Sequence, residues 1–73
     1  MEKVTDKGIE VLQTISVNPG ITAMGLLHRT GIIQAVRGGI LRDLETAELI
    51  VYRNDGWHVT GKGDNVIGQE GPV

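Results

Sequence analysis

Apolar positions recur with a period of 3.6 as far as Ala47 and with a period of 2 beyond it, so helices are expected first and strands afterwards. A first helix is predicted from a Thr5 cap to about Val17, with Ile9, Leu12 and Ile15 inward and the charged residues outward. Asn18-Pro19-Gly20 breaks it. Thr22 can then cap a short second helix with Ala23, Leu26 and Leu27 on its buried side, and Gly31 supplies the permissive backbone of a sharp turn. A third helix follows over about residues 33–47. Its spacing places Ile33, Val36, Ile40, Leu44 and Ala47 on one stripe and Gln34, Ala35, Gly38, Arg42 and Glu45 on the opposite, presented face.

The stretch LIVYRNDGWHVT, residues 49–60, is two β-prone runs around Asn54-Asp55-Gly56, a hairpin signal. With Asp55-Gly56 as the turn, Tyr52 would face Val59 and Arg53 would face His58. Ile50, Tyr52, Trp57 and Val59 would line the core side, leaving Val51, Arg53 and His58 outside. Trp57 is expected as a core anchor, with contact to a base or partner as the other reading. Thr60 can cap one last turn, which Gly61, Gly63 and Gly68 discourage from lengthening. The expected organisation is one domain over residues 1–67 and a loose tail over 68–73.

At 73 residues the chain can hide only about 60% of its unfolded surface, which argues against a large internal active site. It has no Cys, so neither disulfides nor thiolate-held zinc can staple it. No apolar run approaches the roughly 18 residues of a membrane span, and MEKVTDKGIE is too polar for a signal peptide; the expected setting is the cytoplasm.

The formal charge of −2 is unevenly spread. Residues 11–42 carry Arg29, Arg37 and Arg42 with no acid, whereas residues 43–73 carry six acids against Arg53 and Lys62. The acid-free segment coincides with the second helix, the turn and the start of the third.

Enzymatic chemistry finds little support, and no enzyme, cofactor or metal ligand set is expected. GWHVTGKG, residues 56–63, approaches the phosphate-binding G-x-x-x-x-G-K-[ST] loop, but Gly63 stands where the metal-binding hydroxyl belongs and Trp57 to Thr60 alternate like a strand. Ser16 is the only serine, and His28 and His58 have no metal-ligand partner at helical spacing. No nucleophile, base and oxyanion site assemble.

Taken together, LLHRTGIIQAVRGGILRDLETAELIVY, residues 26–52, resembles the winged helix-turn-helix of prokaryotic regulators of the MarR, PadR and IclR type, in which a Gly and an aliphatic end the turn and a Leu-Ile pair follows the recognition helix. Val59-Thr60-Gly61-Lys62-Gly63 is similar to the Leu-Thr-x-x-Gly that closes the wing there. The resemblance implies an α+β fold, a three-helix core with a C-terminal β-hairpin wing, and a transcriptional regulator that binds double-stranded DNA. Under it, the third helix enters the major groove and the wing lies on the backbone or minor groove. Gln34 would pair with adenine and Ala35 would meet a thymine methyl. Arg37 would reach phosphate or guanine. Arg29 and Arg42 would take phosphates, Thr22 and the amides beside it would hold another, and Arg53 and His58 would turn the wing's polar side to the duplex.

Gly38-Gly39 departs from a good helix, at roughly 1 kcal/mol per Gly relative to Ala. Close approach of DNA at Gly38, packing of Gly39 against a neighbouring helix, and a local kink would each account for the pair. The long flanking helices that pair subunits in larger regulators find no room here, so monomer, homodimer and a heteromeric protein partner stay open. The alternative function is a winged helix used for protein interaction, docking through Asp43, Glu45 and Glu48 or the wing.

Overall fold

The computed structural model describes residues 6–70, and over them the chain is α+β. Helices α1 (Asp6–Val17), α2 (Ala23–Thr30) and α3 (Gln34–Thr46) precede an antiparallel hairpin, β1 (Ile50–Arg53) and β2 (Gly56–Val59), and α4 (Gly61–Glu70) follows. The expected Thr5 cap lies outside the described residues. Val11, Leu12 and Ile15 of α1 are fully buried, while Ile9 is only half-buried. α1 is the hub of the core, touching α2, α3, α4 and β2.

α2 starts where Thr22 accepts a hydrogen bond from the Gly25 amide at 3.1 Å, satisfying one of the donors that a helix start leaves open. It ends at Gly31, which adopts φ 72° and donates to the Leu27 carbonyl at 2.8 Å. That left-handed conformation is open to glycine without the Cβ penalty. Leu26 is buried and Leu27 half-buried, but Ala23 is exposed, a correction to the predicted buried side.

α3 is rotated from its predicted setting. Its buried residues are Arg37, Leu41 and Leu44, whereas Ile33 and Val36 are 60% and 44% exposed. The cause lies in the turn. Ile32, not Ile33, drops into the core, and Arg37 swings back over the turn to donate from Nη1 to the Ile32 carbonyl at 2.8 Å. Helical side chains lean toward the N-terminus, which brings a residue in the first turn over the connection that precedes it. Covering the Ile32 carbonyl with a guanidinium avoids leaving a buried acceptor unpaired.

The far end of α3 closes in a Schellman motif. Glu48 adopts φ 65°, its amide donates to the Glu45 carbonyl at 2.9 Å, and the Leu49 amide donates to the Leu44 carbonyl at 2.9 Å. Leu49 and Ile50 enter the core directly after it.

The hairpin turn is Asn54-Asp55, not Asp55-Gly56. Both residues have positive φ, 52° and 61°, as a two-residue type I′ turn requires. The register follows: Ile50 faces Val59, Val51 faces His58, Tyr52 faces Trp57 and Arg53 faces Gly56. Tyr52 was expected opposite Val59 on the core side; it lies instead toward the tip, half exposed, with its ring edge-on to Trp57 at 4.9 Å. Trp57 itself is half-buried and packs on the core.

Gly56 is left free for another task. β2 also bridges to Ile21 in the α1–α2 connection: the Trp57 amide donates to the Ile21 carbonyl at 2.9 Å and the Gly20 amide donates to the Trp57 carbonyl at 2.8 Å. A Cβ at Gly56 would run into the Gly20 backbone.

α4 exceeds the single turn expected and runs past residue 67, to Glu70; residues 71–73 of the predicted tail lie outside the described residues. Thr60 caps it, accepting from the Gly63 amide at 3.1 Å while its hydroxyl donates to the Glu48 carbonyl at 2.6 Å. Val66 and Ile67 pack against the core, and this docking offsets the cost of the helix's glycines. No described helix is long and apolar enough to cross a membrane.

Candidate nucleic-acid interface

The exposed side of α2 and the first half of α3 form one surface. Gln34, Ala35, Gly38 and Arg42 stand exposed along α3, Arg29 is exposed in the last turn of α2, and Thr22 lies exposed at that helix's start. The Thr22 oxygen already accepts from Gly25, which leaves its own proton to donate outward. Arg53 is exposed in β1 next to the hairpin turn.

Two of the predicted site residues are placed otherwise. Arg37 is 6% exposed and engaged with Ile32, so it is not on the flank of α3 where a base or phosphate could meet it. His58 is half-buried rather than outward, its ring lying over Gly20, and its Nε2 is covered without a hydrogen-bond partner. The bridge to Ile21 draws β2 against the α1–α2 connection, and His58 goes with it.

In their place the surface carries hydrocarbon, Ile33 and Val36 from the stripe expected inside and Met24, to which the periodicity assigned no face. Met24 is 62% exposed on α2, and with Ile33 it lines an open groove of about 310 Å³ together with Ala23, Leu27, Gln34 and Arg37. Val36 adds to the apolar area one turn along α3. The signal for this was the Ile32-Ile33 pair at the turn, of which the first is buried and the second, the N-cap of α3, is exposed.

Gly38 and Gly39 are both exposed, and a Cβ on either would meet nothing within 4 Å. Packing against a neighbouring helix is therefore not what the glycine pair serves. It leaves a bare strip of backbone midway along the presented face.

Charge is segregated by position. No acid lies between Val11 and Arg42, whereas Asp43, Glu45 and Glu48 are exposed at the C-terminal end of α3. Up to Arg42 the exposed residues of α2 and α3 thus include an amide, hydrocarbon and arginine and no carboxylate, the exposed acids of α3 beginning at Asp43. No protein-family model matches the chain, and no curated protein matches it in sequence.

Proposed function

We propose that the chain is a winged helix-turn-helix that binds double-stranded DNA and regulates transcription by occupying its site. In this reading α3 lies in the major groove with its N-terminal half toward the bases, and the β1–β2 hairpin is the wing, resting on the sugar-phosphate backbone or minor groove. The carrying observation is the acid-free segment from Val11 to Arg42, which holds α2 and the first part of α3 with exposed Arg29 and Arg42, in a chain whose net charge is −2. Element order supports it, since three helices are followed at once by a hairpin whose tip carries Arg53. Arg37 is excluded from the contact set and given a structural role.

The test is a titration with random duplex DNA at several salt concentrations. Contacts from Arg29, Arg42 and Arg53 would give a log–log slope of about −2.7, at roughly −0.9 per neutralised phosphate. Replacing Arg29 or Arg42 by Ala is expected to flatten that slope by about one contact while leaving the fold intact. Absence of duplex binding at the lowest salt would overturn the reading and favour a protein partner at Asp43, Glu45 and Glu48.

A further inference from the structure

The α3 face available to bases holds almost no hydrogen-bonding capacity. Over residues 33–39 the exposed side chains are Ile33, Gln34, Ala35 and Val36, followed by the two glycines. Arg37, the only cation in this stretch, is 6% exposed with its Nη1 donated to the Ile32 carbonyl, so it does not extend from the helix toward a base. Guanine is read in the major groove chiefly by Arg or Lys on O6 and N7, so this face lacks a guanine reader. It has what thymine and adenine need: hydrocarbon for the C5-methyl of thymine, and one carboxamide for the N6/N7 edge of adenine.

We infer that Ile33 and Val36, with Met24 across the groove, read the C5-methyl groups of thymine, and that Gln34 reads an adjacent adenine, so that the bound site is centred on A·T pairs. This rests on the DNA-binding reading above. The occupant is chosen by charge: Arg37 is the one ionisable side chain lining the groove and no acid lines it, which suits a polyanion that carries methyl groups, and thymine-containing duplex is one. Exposing Met24 and Ile33 at 62% and 60% leaves apolar surface in water that methyl contact would remove. The open space at Gly38 and Gly39 lets the helix backbone come near the groove floor, so that short side chains such as Ala35 can reach it.

The experiment is selection of bound sites from a randomised duplex pool, followed by affinity measurements on the selected duplex with 2′-deoxyuridine replacing thymine one position at a time. Uracil keeps every hydrogen bond and removes only the methyl. The expected result is an A·T-centred site at which uracil weakens binding about 4-fold per contacted position, the worth of burying one methyl-sized group. Ile33→Ala and Val36→Ala, both at exposed positions, should each abolish the uracil penalty at one position and leave it at the others. A 5-methylcytosine·guanine pair in place of the thymine·adenine pair whose adenine Gln34 reads retains the methyl but not the adenine edge, and should bind about 10-fold more weakly. Equal binding of that pair would overturn the assignment to thymine. Tight binding to a G·C-centred site, or indifference to uracil, would overturn the inference and leave DNA binding standing; failure to bind any duplex would overturn both.

Discussion

At the scale of single residues, Arg37 and Arg42 look interchangeable in sequence and are opposites in the structure. Arg37 is 6% exposed and hydrogen-bonded to the Ile32 carbonyl, whereas Arg42 is exposed. Arg37→Ala should therefore destabilise by about 1–3 kcal/mol, because it leaves a buried carbonyl without its donor and removes the packed stem. Arg42→Ala should stay within about 0.5 kcal/mol of the unaltered protein. Urea unfolding midpoints compare the two, and equal stabilities would contradict the structural role given to Arg37. The caps, by contrast, were legible in advance: Thr22 and Gly31 serve as expected because their chemistry is local, a hydroxyl for an open amide and a missing Cβ for a left-handed turn. Arg37 was not legible, since its place depends on which of two neighbouring isoleucines goes inward. Glu48 escaped notice for a related reason: nothing in its side chain favours φ 65°, and the Schellman hydrogen bonds to Leu44 and Glu45 hold it there.

Among the elements, the helices and the hairpin follow from apolar periodicity, while their faces and registers required the tertiary structure. α3 matches the expected span but is rotated, because Ile33 and Val36 weigh more in a periodicity than the arginine that displaces them. The hairpin was expected at Asp55-Gly56 and turns instead at Asn54-Asp55, since Gly56 is required where it passes the Gly20 backbone. α4 was underestimated because its glycines are visible in the sequence and its docking on α1 is not. The glycine pair of α3 gives a prediction at this level. Gly38→Ala and Gly39→Ala meet no obstacle and should each raise stability by up to about 1 kcal/mol, measured by chemical denaturation. If bare backbone is what approaches the duplex, Gly38→Ala should also weaken DNA binding, so that stability and affinity move in opposite directions. The exposure of Gln34, Arg29 and Arg42 was legible, but that of Met24, Ile33 and Val36 was not.

For the molecule as a whole, α1 holds the fold together by packing with α2, α3, β2 and α4, and the last of these is the least expected. A chain ending at Thr60 would lose the packing of Val66 and Ile67 on the core, and is expected to be destabilised by about 2–3 kcal/mol, the burial of two aliphatic side chains discounted for their partial exposure. Urea unfolding of the shortened protein measures this, and an unchanged midpoint would show that α4 is dispensable to the core. Charge is also arranged along the chain, with no acid from Val11 to Arg42 and with Asp43, Glu45 and Glu48 exposed directly after it. The bridge between Ile21 and Trp57 has a mechanical consequence. β2 is clamped on both edges at Trp57, by β1 on one side and by Gly20 and Ile21 of the α1–α2 connection on the other, whereas Arg53, Asn54 and Asp55 lie beyond the clamp. The hairpin is thus jointed part-way along its length. Its base is tied to the helical body by the Gly20 and Ile21 hydrogen bonds, and only the short tip from Arg53 to Asp55 extends past that tie.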